Sequence, residues 1–294
     1  MKTEKGLAFR SGYWDDHRAR EQFKQFLISI HGLDLSLWEQ KGYWDEEHYT
    51  AFSFFENDRV VATTNLFSME MVVDGRRRKL GQFSGVGTLP EFRGRGLNRR
   101  LTEKALDWAA ATHDGFFLFA NDDAVGFYEK CGFIPVPETI TSVKVTSQAP
   151  RPGLRKLDPE SDEDLALVYR LACEQSPVSD LLGALNPKLL MFHCLYTLRD
   201  CLYFVADLDV AVFFEVDDER LTLFDVVGRR IPSFAELHPY VSGQRHSEVL
   251  FSFMPDKMGV DATGQTTLED SGALVYPPLR LPDPTRLFPY VSRA

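Results

Sequence analysis

The chain has 294 residues, 44% of them hydrophobic and 26% charged, which is the balance of a globular protein with one large or two medium domains. Its formal charge of −10 disfavours broad binding to nucleic acid or to an anionic membrane, because both require a positive face. The sequence shows neither a signal-peptide pattern nor about 18 consecutive apolar residues, so a cytoplasmic protein without membrane association is expected.

The four cysteines and seven histidines show none of the spacings that build a metal site or a disulfide framework. Free thiols and a protein without a bound metal are therefore expected.

Three strand patterns follow a first amphipathic helix. Apolar residues at helical spacing predict this helix over residues 15–30, with Asp15 and Asp16 at its N-terminus. The next stretches are rich in β-branched and aromatic residues and are separated by Asn-Asp and Asp-Gly turns. They predict three antiparallel strands, at residues 49–57, 59–73 and 74–89.

From Leu97 onward the spacing of apolar residues is that of a helix. A short, continuously apolar stretch at 115–120 is typical of a buried strand. Residues 122–132 then predict a helix that begins with acidic residues and ends at Gly132, and a strand follows. The predicted class is α/β of the α+β type, with a mixed and mostly antiparallel sheet flanked by helices.

The second half of the chain predicts a similar succession of elements. A stretch rich in proline, serine and charge indicates a domain boundary, which divides the chain into residues 1–146 and 147–294. Beyond it the patterns predict helices at 162–175 and 179–196, strands at 202–216 and 220–227, a helix near 233–241 and a strand at 247–254. This order indicates two tandem domains, the second a degenerate copy of the first.

Residues 89–101, "LPEFRGRGLNRRL", place four arginines and two glycines at the start of a helix. A helix N-terminus exposes unpaired N–H groups, and glycines let an anion approach the backbone closely, so the stretch is suited to phosphate. A tight turn with solvated arginines is the alternative. A dinucleotide fold is disfavoured, because Pro90 stands where its fingerprint requires the third glycine.

At this point the chain resembles the GCN5-related N-acetyltransferases, the GNAT superfamily. Arg93, Gly96 and Asn98 occupy the positions of that family's loop pattern Q/R-x-x-G-x-G/A, although Asn98 departs from the usual glycine or alanine. Residues 121–133, "NDDAVGFYEKCGF", are similar to its downstream pattern N-x-x-A-x-x-F-Y-x-x-x-G-F at every specified position. The resemblance covers residues 7–140, and it implies the GNAT fold.

The resemblance also implies a cosubstrate, acetyl-CoA, and a set of residues that hold it. A strand edge would pair with the pantetheine arm, backbone amides of the loop would hold the pyrophosphate, and an asparagine at a strand end would reach the pantetheine amides. The residues so implied are Val86, Gly87 and Thr88 of the strand, Arg93, Gly94, Arg95, Gly96, Leu97, Asn98 and Arg99 of the loop, and Asn121.

Tyr128 is the candidate catalytic residue, because a phenol stays protonated at neutral pH and can donate to a departing thiolate. Without the flanking motif, a core tyrosine beside Phe127 and Phe133 would be the preferred interpretation. Cys131 is a weak candidate nucleophile, since it occupies an unspecified position of the pattern. The general base stays open between Glu70, the C-terminal carboxylate, which faces the cleft in similar two-domain acetyltransferases, and an ordered water.

The resulting prediction is an N-acetyltransferase that moves an acetyl group directly to an amine of a small molecule or peptide. The second half lacks the phosphate loop, so it either walls the acceptor cleft or only covers a sheet surface. A non-catalytic acyl-CoA-binding sensor or scaffold is the alternative, and a nucleic-acid module conflicts with the charge and ignores residues 121–133. Many members of the family dimerise, and the sequence leaves a homodimer open.

Overall fold

The structure is a computed structural model that describes residues 6–146, 148–243, 245–282 and 286–294. These ranges contain seven α-helices: α1 (His17–His31), α2 (Ser36–Gln40), α3 (Leu97–Ala109), α4 (Asp122–Lys130), α5 (Asp162–Cys173), α6 (Pro187–Leu195) and α7 (Phe234–Val241). The strands of the same ranges are β1 (Leu7–Ser11), β2 (Tyr49–Glu56), β3 (Arg59–Val73), β4 (Arg76–Thr88), β5 (Gly115–Phe119), β6 (Ile134–Pro135), β7 (Glu138–Lys144), β8 (Leu154–Lys156), β9 (Leu182–Leu185), β10 (Leu202–Val205), β11 (Val210–Asp217), β12 (Arg220–Val227), β13 (Glu248–Phe251), β14 (Gly264–Leu268) and β15 (Ala273–Tyr276).

The strands form two sheets with the same internal arrangement. The first sheet has the order β1-β2-β3-β4-β5-β15-β6, with β9 added to β3, and the second has the order β8-β10-β11-β12-β13-β7-β14. In each sheet the fourth and fifth strands of this order are parallel, β4 with β5 and β12 with β13, and the other pairs are antiparallel. The predicted α+β class and the duplicated order of elements are confirmed.

The two halves of the chain exchange one strand. β7 comes from the first half but pairs with β13 and β14 of the second sheet, whereas β15 comes near the end of the chain and pairs with β5 and β6 of the first. Sheet membership therefore does not follow the predicted division into residues 1–146 and 147–294, and residue 147 lies outside the described residues. The division into domains stays a prediction.

Local signals account for the predicted meander of β2, β3 and β4 and for the helix before it. Asp16 caps α1 by accepting a hydrogen bond from the backbone N–H of Ala19 at 3.0 Å. Asn57 and Asp74 occupy the tight turns between the strands with φ of 53° and 48°, a left-handed conformation that asparagine and aspartate tolerate. These side chains set the turns, and the three-strand prediction is confirmed.

Two predictions in the second half were wrong. Residues 179–196 are not one helix: β9 pairs with the outer end of β3, and α6 begins only at Pro187, behind the side-chain cap of Asn186. Proline suits the first turn of a helix but cannot continue one, so the apolar run divides there. Residues 202–216 are likewise two strands, joined by a turn in which Asp209 has a φ of 48°.

A bulge near the end of β4 opens the first sheet. β4 pairs with β5 only from Leu80 to Phe83, and the register between β3 and β4 shifts opposite Ser84–Gly87. Gly85, inside the bulge, has a φ of 55°. Beyond Phe83 no strand of the described ranges pairs with the edge of β4 that would face β5, and a cleft begins there.

Glu138, the first residue of β7, anchors the last residues of the sequence. Its buried carboxylate accepts hydrogen bonds from Arg293 Nη2, at 2.8 Å to each oxygen, and from the backbone N–H of Phe288 at 3.0 Å. The backbone N–H of Ala294 in turn donates to Gln82 Oε1 of β4 at 3.0 Å. Ala294 is thereby held beside the bulge of the first sheet.

Across the described ranges, no helix is long and apolar enough to cross a membrane. The same ranges contain no group of three or more histidine, cysteine, aspartate or glutamate residues arranged to hold a metal ion.

Candidate active site

An open cleft of about 670 Å³ lies where β4 ends and α3 and α4 begin. We call it the arginine-rich cleft. It is lined by Ile30, Val86, Gly87, Thr88, Phe92, Arg93, Gly94, Arg95, Gly96, Leu97, Asn98, Arg99, Asn121, Asp123, Ala124, Phe127 and Tyr128. Every residue predicted to bind the cofactor is in this set, and so is Tyr128, whereas Cys131 and Glu70 are not. The structure therefore brings two distant motifs to one surface.

The β4 wall of the cleft offers backbone groups for hydrogen bonding. The N–H of Leu89 donates to the carbonyl of Val61 at 2.9 Å, on the β3 side. Because successive backbone groups of a strand point to opposite edges, the N–H and C=O of Thr88 point away from β3. The Thr88 carbonyl accepts from Arg93 Nε at 3.2 Å, in agreement with this orientation. The Thr88 N–H faces the cleft.

The loop before α3 leaves the helix N-terminus open. Gly94 and Gly96 have φ of 75° and 69°, and a Cβ added to either would meet no atom within 4 Å. Gly96 is the N-cap of α3 and has no side chain with which to cap it, and the first turn carries no acidic residue. The exposed N–H groups and the positive end of the helix are therefore available to an anion.

The arginines around this loop are exposed and make local contacts. Arg95 donates to the Glu91 carbonyl at 3.2 Å, and Arg99 pairs with Glu103 at 3.0 Å. Arg100 lies over the Phe54 ring, 4.7 Å from its centroid, and is not part of the cleft lining. Exposed pairs of this kind contribute only about 0–1 kcal/mol to the stability of the fold, so Arg95 and Arg99 can rearrange toward a bound anion at a small cost in free energy.

Asn98 joins the two walls of the cleft. Its Oδ1 accepts a hydrogen bond from Thr88 Oγ1 at 2.8 Å, which ties the end of β4 to the first turn of α3. The residue that departs from the usual loop pattern thus has a structural role here that glycine or alanine could not perform.

Tyr128 lies on the opposite wall, on α4, with a side chain that is almost fully buried. Its ring packs edge-on against Phe127 and Phe133, with centroids 5.0 and 5.9 Å away. Burial raises the pKa of Tyr128 above its ordinary value, so the phenol stays protonated at neutral pH. Burial also raises the pKa of the Cys131 thiol, which argues against a thiolate nucleophile there.

Asn121 precedes α4 as its N-cap residue, yet its side chain makes no capping hydrogen bond. The residue is exposed and lines the arginine-rich cleft. Its amide is therefore placed on the cleft surface, as the sequence motif predicts, without a role in stabilising the helix.

A second cavity, of about 310 Å³, lies on the other side of the β4 bulge. We call it the aromatic cavity. Its lining is His31, Leu33, Leu35, Trp38, Tyr49, Phe67, Ser84, Gly85, Leu189, Phe192 and Ala294. Ile30 and Val86 line the cleft while their chain neighbours His31 and Gly85 line the cavity, so the two spaces adjoin across α1 and β4.

His31 stands at the junction of these spaces. A Cβ added to Gly87 would lie 3.3 Å from His31 Nε2, which shows how closely the imidazole approaches β4. The side chain as a whole is exposed, yet the packing around its ring lowers the pKa of His31 below its ordinary value, against an opposing interaction with the Gly85 backbone. A neutral imidazole at neutral pH follows.

Sequence reasoning missed the aromatic cavity and His31. No short motif marks them, because the cavity combines residues up to 263 positions apart, from His31 to Ala294. Two carboxylates are candidates for the base. Ala294, which carries the C-terminal one, lines the aromatic cavity, whereas Glu70 is exposed and pairs with Arg77 at 2.6 Å. It opposes Lys79, nine residues from Thr88, which is roughly 30 Å along a strand. The structure separates Glu70 from the cleft.

The second half has no equivalent of the open helix start. After β12 the chain enters α7, whose N-cap Ser233 and Glu236 form a reciprocal capping box. Arg230 donates to both carboxylate oxygens of Glu236 at 3.1 Å. The N-terminus of α7 is therefore occupied by the protein's own groups, unlike that of α3. Instead, α6 contributes Leu189 and Phe192 to the wall of the aromatic cavity.

Comparisons with known proteins agree with this architecture. A probable N-acyltransferase of unknown function from Enterococcus faecalis V583 has 11% identity and a TM-score of 0.60, over 92% of this chain and 71% of that one. A GCN5-related N-acetyltransferase from Kribbella flavida has 16% identity and a TM-score of 0.55, over 92% and 71%. Eis1 from Mycobacterium abscessus has 14% identity and a TM-score of 0.56, over 92% of this chain and 73% of that one.

At these identities the likeness is one of fold, and it extends over both halves of the chain. No curated protein matches the sequence. The family model of the acetyltransferase (GNAT) family matches residues 11–133, a segment that contains β4, the loop before α3 and the motif around Tyr128. This segment, which holds both motifs of the cleft, is thus similar to the acetyltransferase (GNAT) family.

Proposed function

We propose that this chain is an N-acetyltransferase that moves an acetyl group from acetyl-CoA directly to a primary amine. The observation that carries the proposal is the arginine-rich cleft, where an unpaired strand edge, an uncapped helix N-terminus and a buried phenol face one space. These three features correspond to the three needs of acyl transfer from a thioester: holding the cosubstrate, polarising its carbonyl and protonating its leaving group.

The residues of the cleft fit acetyl-CoA in two respects. The edge of β4 from Val86 to Thr88 can pair with an extended arm that carries amide groups, as an added strand would. The N–H groups from Gly94 to Arg99, at the open start of α3, can hold a pyrophosphate, with Asn121 on the opposite wall. Acetyl-CoA would supply an activated acetyl thioester at this place.

The chain's own groups would then act on the reacting atoms. The Thr88 N–H would donate a hydrogen bond to the thioester oxygen, where negative charge develops during attack. Tyr128, kept protonated by burial, would give its proton to the leaving sulfur. No covalent enzyme intermediate is needed, in keeping with the raised pKa of Cys131.

His31 is the group we propose to accept the proton of the amine. It is neutral at neutral pH, lies against β4 beside Gly87, and faces the aromatic cavity from the boundary with the cleft. A general base must lie within hydrogen-bond reach of the amine, directly or through one water. An amine that approaches from the aromatic cavity passes this imidazole, whereas Glu70 lies far along β3.

Calorimetric titration with acetyl-CoA tests the cosubstrate assignment. The native chain should bind saturably, and Gly96→Glu should abolish binding because it places a carboxylate in the anion site. Gly259→Glu is the matched control: Gly259 also has a left-handed backbone, with φ of 61°, and open space around its Cβ position, but it lies outside the cleft lining. Equal affinity of native protein and Gly96→Glu would refute the assignment.

A non-catalytic acyl-CoA-binding sensor or scaffold is the alternative function. It would bind acetyl-CoA but release no thiol with any amine, and its behaviour would not depend on Tyr128. The presence of the phenol in the cleft favours catalysis. The cytoplasmic location and a homodimer stay predictions from the sequence.

A further inference from the structure

The aromatic cavity has a composition that selects among amines. Apart from His31, Ser84, Gly85 and the backbone at Ala294, its lining consists of aliphatic and aromatic side chains. No aspartate or glutamate side chain is among the described residues that line it. A ligand that fills this space must therefore present an apolar body.

Trp38 organises the apolar wall. Its ring is stacked on Phe67 at 6.1 Å and packs edge-on against Phe192 of α6 at 5.7 Å. Its indole N–H donates to the Lys188 carbonyl at 3.0 Å, and its backbone N–H donates to the Tyr196 hydroxyl at 3.2 Å. The indole is thus fixed by both halves of the chain, and it presents a rigid surface to the cavity.

The polar groups of the cavity lie at the end that adjoins the cleft. His31 and Gly85 stand there, and so does Ser84, whose buried hydroxyl lies near that of Tyr49 but makes no hydrogen bond of good geometry among the described residues. A buried hydroxyl that lacks a well-aligned hydrogen bond is destabilising, and a ligand that bonds to it would recover that loss. The cavity therefore has an apolar body and one polar end.

From this arrangement we propose that the aromatic cavity is the acceptor site and takes a compact primary amine with one apolar, aromatic body, whose nitrogen points to His31 and Ser84. The inference rests on the proposed function, and it selects among the acceptor classes that the sequence leaves open. The cavity volume of about 310 Å³ is roughly twice the 150 Å³ that accommodates benzene in an engineered cavity, so a ring with a short aminoalkyl arm fits.

The same chemistry disfavours polycationic acceptors. A second or third ammonium group would be removed from water among leucine, phenylalanine and tryptophan side chains. No carboxylate side chain of the described lining could pair with it, and the carboxylate of Ala294 could pair with only one such group. A peptide amine would also have to bring its backbone amides into the apolar space. For both classes of acceptor, the free energy lost by removing charged or polar groups from water exceeds the free energy gained from contacts in the cavity.

Binding of 2-phenylethylamine to the full chain, measured by calorimetry without acetyl-CoA, tests the proposal. We expect 2-phenylethylamine to bind the native chain saturably and spermidine to bind the native chain at least tenfold more weakly. Leu33→Trp, which fills the cavity, should bind 2-phenylethylamine at least tenfold more weakly than the native chain does. Leu37→Trp is the matched control, because Leu37 is similarly part-buried on the same segment but does not line the cavity. Thermal unfolding of both variants verifies that they are folded.

Two outcomes would overturn the proposal: spermidine binding as tightly as 2-phenylethylamine, or equal affinity of 2-phenylethylamine for native protein and folded Leu33→Trp. Because acetyl-CoA is absent, these results do not depend on acetyl transfer. A chain that binds acetyl-CoA but not 2-phenylethylamine keeps the proposed function and loses this acceptor class. A chain that binds only the amine keeps the cavity assignment and loses the proposed function.

Discussion

Replacing Tyr128 by phenylalanine tests whether this tyrosine has a catalytic or only a structural role. The ring packs against Phe127 and Phe133, and phenylalanine preserves those contacts. Among the described residues the Tyr128 hydroxyl makes no hydrogen bond with another protein group. The substitution therefore removes no stabilising bond, and we expect a change in unfolding free energy within about 0.5 kcal/mol.

The expected kinetic effect is much larger than the effect on stability. A positioned general acid contributes about 10²–10⁴ in rate, which corresponds to about 2.7–5.4 kcal/mol of barrier. Tyr128→Phe should lower kcat by this factor and leave the affinity for acetyl-CoA unchanged, because the hydroxyl acts only on the leaving sulfur. The rate kcat is measured by thiol release with an amine that the native chain acetylates, the affinity for acetyl-CoA by calorimetry, and the stability by thermal unfolding.

The reasoning fails if Tyr128→Phe is folded, binds acetyl-CoA as the native chain does and turns over within twofold of the native rate. Tyr128 would then be a core residue. A parallel loss of acetyl-CoA affinity and of kcat would also contradict a role confined to proton donation.

Two further predictions concern histidines. His31→Gln should lower kcat/KM for the amine about 10²-fold at neutral pH without changing the affinity for acetyl-CoA. The difference in kcat/KM between native chain and variant should shrink at higher pH, where the amine loses its own proton. A difference independent of pH would exclude a proton-accepting role. In the second half, His238 Nε2 lies 3.1 Å from His246 Nε2, and burial first, then this neighbour, lower the pKa of His238. Because the folded-state pKa of His238 is lowered, the unfolded chain binds more protons than the folded chain once the pH falls below the unfolded-state pKa of about 6.5. The contribution of His238 to stability is therefore complete above that pH and should decline as the pH falls below it. Thermal midpoints between pH 7 and pH 5 should fall less in His238→Gln than in the native chain or in His17→Gln, a control at an exposed histidine of α1. Equal slopes would contradict the assignment.

Much of the cleft could be predicted because most of its residues belong to two contiguous motifs. Residues 93–98 form a loop and the first residues of α3, and residues 121–133 contain α4 with its flanking residues, so their backbone geometry follows from nearby glycines, caps and apolar spacing. Periodicity likewise located β2, β3, β4 and α3. Roles within the cleft stay predictions until ligand binding and turnover are measured.

Local patterns in the sequence are enough to predict the class of fold, the meander of the first half and the loop and helix start suited to an anion, because each depends on residues a few positions apart. Three features are visible only in the folded chain: the exchange of β7 and β15 between sheets, the division of residues 179–196 into a strand and a helix, and the aromatic cavity. These features depend on pairing and packing between segments that lie from about 110 to more than 250 positions apart. A strand can pair with any free edge that satisfies its backbone hydrogen bonds, and Trp38 contacts Phe192 from a helix more than 150 positions away, so no local pattern encodes either contact.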